Sequence, residues 1–156
     1  MILNELFSGN SQVEELDPEN YEGFDELDLG KLAACYLLPY NGADYIFFFE
    51  DYRDSTEFVY GKVILKNGNK KLDYNLTSEG TPIPVLNAVV TVLLNFIQKY
   101  DPITVHFVGY NNRQTRFYRS FVRYLGKKLP KPFYFSEKGS DFYATRDERY
   151  ENYRIN

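Results

Sequence analysis

Residues 81–128 alternate two helix-like patterns around one short apolar run, and this stretch limits the folds open to the chain. Residues 84–98 are apolar except for Asn87, Thr91, Asn95 and Gln98, which draw one narrow polar stripe along a helix. A helix apolar on most sides belongs in the middle of a domain. Pro84 suits its first turn, where a missing N–H costs nothing. Residues 103–108 read as a short buried strand, parallel to the preceding sheet strand because a helix crosses between them. Residues 113–127 form a second helix of the opposite character. Phe117, Tyr118, Phe121, Val122 and Leu125 share one arc of its wheel, and Arg113, Arg116, Arg119, Arg123 and Lys127 share the other. Asn111 or Asn112 caps it, and Gly126 and Pro130 mark its end.

The flanks read as sheet. Residues 31–39, 44–52, 58–65 and 72–77 carry strand patterns, punctuated by Asn41-Gly42 and by Asn67-Gly68-Asn69. Tyr45, Phe47 and Phe49 alternate with Ile46 and Phe48, so both faces of that strand are apolar and it belongs at the centre. Residues 133–136 and 141–145 make a closing pair through Lys138-Gly139-Ser140. The expected fold is therefore α+β: an antiparallel meander, then helix–strand–helix, then a strand pair. At 156 residues it is a single domain. We place it at 31–146, after an acidic N-terminal arm (1–30) and before a charged, Tyr-bearing tail (147–156).

Several chemistries have no residues to carry them. Cys35 is the only cysteine, which excludes an internal disulfide and a cysteine metal cluster. His106 is the only histidine and sits in an apolar strand, where a packed, hydrogen-bonded ring is expected; no metal site is expected either. No glycine-rich phosphate loop occurs. The first residues lack a signal-peptide pattern, and residues 85–97 are too short and too interrupted to span a bilayer. A cytoplasmic protein is the expectation, with no membrane partner.

Charge is distributed unevenly behind a net −4. Residues 1–30 hold nine acids and no Lys or Arg, whereas residues 111–131 hold only bases. Five cations along about four turns repel one another unless an anion faces them. Either the arm or Glu79, Asp101 and Glu137 neutralise that face, or it meets an outside anion. An acidic protein surface, nucleic acid phosphates and a cofactor phosphate are the candidates. The net acidity of the chain is unlike a typical nucleic-acid binder.

A meander, a helix entered through a turn, a strand, and a helix opening Asn111-Asn112-Arg113 with Tyr118 six residues after Asn112 together resemble the GNAT N-acetyltransferase fold. That resemblance covers residues 44–145 and implies acetyl-CoA as cofactor. It implies that Gly80, Thr81 and Asn112 would hold the cofactor and that Tyr118 would act as general acid. The family's cofactor loop, a basic or Gln residue followed by paired glycines, corresponds here to Thr77-Ser78-Glu79-Gly80-Thr81-Pro82. One glycine is kept, the lead residue is absent, and Pro82 stands where the second glycine would be. Pro82 and Pro84 remove amides that a pyrophosphate needs at a helix N-terminus, and Glu79 adds a negative charge. The implied molecule is a scaffold of this type without the activity or the cofactor. The start Met1-Ile2-Leu3-Asn4-Glu5-Leu6 and the Asn-Asn-Arg helix are also similar to small tailed-phage proteins, which implies a phage accessory role in the host cytoplasm. The expected function is a non-enzymatic interaction module using Arg113, Arg116, Arg119, Arg123 and Lys127. The arm or an acidic partner would supply the anion, with acetyltransfer and nucleic-acid binding as alternatives.

Overall fold

In a computed structural model, the described residues are 12–17, 30–74 and 81–155. They form strands β1 (Glu14–Leu16), β2 (Leu32–Tyr40), β3 (Ala43–Asp51), β4 (Thr56–Lys66) and β5 (Asn69–Asp73). Helix α1 (Ile83–Tyr100), strand β6 (Thr104–Val108) and helix α2 (Asn112–Leu125) follow, and β7 (Tyr134–Lys138) and β8 (Asp141–Thr145) close the chain's sheet. All eight strands belong to one sheet in the order β1-β2-β3-β4-β6-β8-β7, with β5 on β4. The expected α+β class and meander are what this chain forms.

Turn chemistry fixes the first half. Asn41 (φ 52°) with Gly42 (φ 79°) closes β2–β3, and Asn67 (φ 54°) with Gly68 (φ 79°) closes β4–β5. Both central residues of each turn have positive φ, the geometry that matches strand twist in a two-residue hairpin. β3 lies between β2 and β4 and is buried on both faces, as its two apolar sides demand. Phe47 and Phe49 look toward the helices, and Ile46 and Phe48 join Cys35 and Leu72 on the reverse face.

Both helices lie on one face and share one core. Phe96 of α1 stacks on Phe49. Phe121 of α2 meets Phe107 and Phe135 edge-on, a favoured aromatic arrangement. α1 is longer than the 84–98 pattern and ends at Asp101 in the left-handed conformation (φ 46°). By length and composition alone, its 18 residues would pass for a membrane-crossing helix. Instead Val85, Val89, Leu93 and Phe96 are packed inside the domain, and α1 is the core helix of the fold.

Three details depart from the sequence reading. The parallel partner of β6 is β4, not the nearer-in-sequence β5. The strand expected at 72–77 ends at Asp73, and residues 75–80 lie outside the described set. The second helix gives way after Leu125 to a tighter turn, Gly126–Lys128. The tail carries a 3₁₀ turn at Glu148–Tyr153, which brings Ile155 N–H onto the Phe135 carbonyl at 2.9 Å. Of the arm, residues 12–17 are described, and they supply the edge strand β1.

Candidate interaction surface

α2 begins where β6 ends, and its first turn is fixed by side-chain capping. Asn111 accepts from the Gln114 N–H at 2.8 Å. Asn111, not Asn112, is therefore the cap. Gln114 is buried and bridges two elements: it accepts from Tyr110 N–H at 2.9 Å and donates to the Tyr60 hydroxyl on β4 at 3.2 Å. With Tyr118, Phe121 and Val122 turned into the core, the opposite arc is left to solvent.

That arc carries the expected cations. Arg113, Arg116, Arg123 and Lys127 are exposed. Among the described residues, none of these four forms an ion pair. Arg119 is different, since its Nε donates to Glu137 Oε1 at 3.0 Å. Of the acids expected to neutralise the face, Glu137 does so for one residue. Asp101 pairs with Arg146 instead, and Glu79 lies outside the described residues. The described part of the arm sits at β1, and its Glu15 pairs with Lys99 of α1. An open depression of about 580 Å³ is lined by Asn112, Thr115, Arg116 and Arg119 of α2 and by the Gly139-Ser140 turn.

Two of the residues expected to hold a cofactor, Thr81 and Asn112, line different hollows. Thr81 lines a cleft of about 110 Å³ with Tyr60, Leu86, Arg113, Gln114 and Phe117, whereas Asn112 faces the depression just described. Gly80 lies outside the described residues. The cleft exists because β4 pairs with β6 only at Thr56 and Glu57 and with β5 only from Lys62 onward. Among the described residues, Phe58 to Gly61 thus have a sheet partner on the β3 side alone. Its volume is well under the roughly 300 Å³ at which drug-sized ligand sites begin.

The helix end beside this cleft is poor in donors. Pro82 is the cap residue of α1 and Pro84 lies in its first turn, and neither has an N–H. Val85 and Leu86 N–H both turn back to the Pro82 carbonyl, at 3.0 and 3.1 Å. Tyr118, the candidate acid, is 2% exposed and packs against Phe107, Phe117 and Phe142. Burial, reinforced by the Tyr60 and Tyr110 hydroxyls, pushes its phenol well above the ordinary range. It holds its proton inside the core.

Two polar clusters were not foreseen. His106 lies between carboxylates, with Nδ1 at 2.7 and 2.8 Å from Glu57 and Nε2 at 2.7 Å from Asp141. The other joins Glu15 to Lys99, Tyr100 and the neighbourhood of Tyr36. The signal for the first was the register, since Glu57 stands opposite His106. That pairing could be read only once β6 was placed on β4. Comparison with protein families, with curated proteins and with solved structures finds no match to this chain.

Proposed function

We propose that the chain is a non-enzymatic interaction module that holds an acidic protein surface against the outer face of α2. The observation that carries this reading is the set of four exposed cations, unpaired among the described residues: Arg113, Arg116 and Arg123 on a helix anchored by its other face, and Lys127 in the turn that follows it. Like charges held this close are relieved by an anion brought from outside. A protein is favoured over nucleic acid because a net charge of −4 opposes the dense charge of a nucleic acid at long range more than it opposes a single acidic patch on a protein. A phage accessory role in the host cytoplasm is the setting that the likeness of the first residues suggests.

The test is fluorescence anisotropy with a labelled poly-glutamate peptide, duplex DNA and single-stranded RNA, each at low and physiological salt. The peptide should bind, and the triple variant Arg113→Glu, Arg116→Glu, Arg123→Glu should weaken it by tenfold or more while the fold remains intact. Nucleic acid binding with a steep salt dependence, and no peptide binding, would replace the reading. Binding to none of the three at low salt would end it.

A second reading, a GNAT-like acetyltransferase, is supported by one observation, the stretch of β4 between its β6 and β5 pairings that, among the described residues, has a sheet partner on the β3 side alone. In that reading Thr81 and Gly80 would meet acetyl-CoA, and Tyr118 would have to become accessible. Calorimetric titration with acetyl-CoA decides it: absence of heat at millimolar ligand removes the enzyme.

A further inference from the structure

β1 is an unusual edge strand. It is three residues long, and its register (Glu14 opposite Leu37, Glu15 opposite Tyr36, Leu16 opposite Cys35) lays it along the outer edge of β2. In sequence, residues 18–31 separate residues 12–17 from β2. The side chains alternate as a strand requires. Val13 packs on the helix-side core, and Leu16 packs on the reverse-face cluster around Cys35. Glu15 shares the helix side with Val13, and there it finds a socket.

The socket is built by the last turn of α1. Lys99 Nζ donates to one carboxylate oxygen of Glu15, and the Tyr100 hydroxyl donates to the other at 2.7 Å. Tyr36 stands beside them with its hydroxyl donated to Asn95 Oδ1 at 2.8 Å. Burial alone would raise the Glu15 pKa, but the Lys99 and Tyr100 hydrogen bonds outweigh it and hold the carboxyl below its ordinary value. The described residues do not fill this site. A cavity of about 170 Å³ remains between Val13, Thr91, Val92 and Asn95. That is room for several waters, each taking about 30 Å³.

A sheet edge that supplies main-chain hydrogen bonds, with pockets that read alternate side chains, is the arrangement by which extended peptides are recognised. We propose that the β2 edge with Lys99 and Tyr100 is a docking site for an extended, acid-bearing peptide of a partner protein, occupied in cis by this chain's own residues 12–17. The pattern it reads is apolar, any residue, acid, apolar, as in Val13-Glu14-Glu15-Leu16. The carboxylate gives specificity, because an occupant without it leaves Lys99 and Tyr100 facing an empty socket. The tethered segment competes at an effective concentration on the order of millimolar, so a partner gains access when the cis contact is weakened or when its own peptide fits the unfilled cavity better. This surface lies on the C-terminal turn of α1 and is independent of the α2 face.

The experiment uses the full chain and the peptide Gln-Val-Glu-Glu-Leu-Asp, read by amide NMR shifts at residues 33–38 and 95–100. Glu15→Lys sets two ammonium groups against each other and should open the site, so that the variant binds the peptide at least tenfold more tightly than the unaltered chain. Adding Lys99→Glu to that variant restores an opposite-charge pair in cis and should shut the peptide out again. A peptide with Gln at the Glu15 position should bind the opened variant at least tenfold more weakly. If Glu15→Lys does not fold, Glu15→Ala removes the carboxylate alone and serves in its place. Equal binding by the unaltered and opened chains, or no binding by either, overturns the proposal. Dimerisation of the unaltered chain in place of peptide binding overturns it too, and assigns the edge to exchange between copies.

Discussion

His106 is held on both ring nitrogens by carboxylates, Glu57 on β4 and Asp141 on β8. Both nitrogens can donate only when the ring is an imidazolium. Burial opposes that charge, but the Glu57 and Asp141 hydrogen bonds outweigh it and raise the pKa above the ordinary histidine value. Tyr143 stacks on the ring at 4.8 Å, and Tyr110 lies near enough to feel Glu57. A raised folded pKa stabilises the native state fully below the unfolded value of about 6.5 and loses that contribution as pH rises through the folded value. His106→Asn should therefore cost about 1–2 kcal/mol at pH 6 and less at pH 9, measured by urea unfolding. A packed, hydrogen-bonded histidine was legible from its apolar strand, but its partners lie 49 and 35 positions away and only the register unites them. Gly109 makes a second residue-scale case. A Cβ there would stand 2.1 Å from Thr115 Oγ1 and 2.7 Å from its Cα. Backbone cannot yield as a flexible side chain does, so Gly109→Ala should cost about 3 kcal/mol and lower the melting temperature.

At the scale of elements, the two helices differ in how much of them the sequence disclosed. α2 was legible because its cations and its aromatic residues keep separate arcs at a period of 3.6, which neither packing nor solvent contradicts. Gln114 was not legible, since a lone polar residue in a first turn reads as solvent-facing. Its burial follows from the Tyr60 hydroxyl, which reaches α2 from β4 and must be bonded once it leaves water. Gln114→Leu keeps the bulk but leaves that hydroxyl with Thr81 alone and strands the Tyr110 N–H. It should destabilise by about 2–3 kcal/mol. Reversing Arg113, Arg116 and Arg123 breaks no ion pair among the described residues and should change stability by no more than about 0.5 kcal/mol. The two sets of variants, compared by chemical denaturation, separate the face that folds the helix from the face that is free to bind. Equal destabilisation by both would show the cations to be structural.

Across the whole molecule, the sheet is two leaves that meet at β4 and β6, where the register runs for only two residue pairs. The meander and closing pair were legible because hairpins are local. The join was not, because β6 passes over β5 to reach β4, and β8 inserts between β6 and β7. Nor was β1, since three residues within an acidic arm carry no strand pattern of their own. Both non-local joins are tied by a charged group, and the two groups titrate with opposite sign. His106 sits at the meeting of the leaves and loses its contribution as pH rises. Glu15 sits at the β1 edge with a lowered pKa, so its contribution is present above the unfolded value of about 4.3 and is lost as pH falls through the folded value. Stability should then form a plateau bounded on the acid side partly by the edge and on the alkaline side partly by the join. Glu15→Gln should flatten the acid limb alone, by under about 1 kcal/mol because Lys99 is half exposed and solvent screens the pair. His106→Asn should flatten the alkaline limb alone. The groups lie on different strands and share no hydrogen-bond partner, so the double variant should show the sum of the two effects. A double variant that departs from that sum by more than about 0.5 kcal/mol would mean that releasing β1 is felt at the join, and that the two leaves respond to pH as one body.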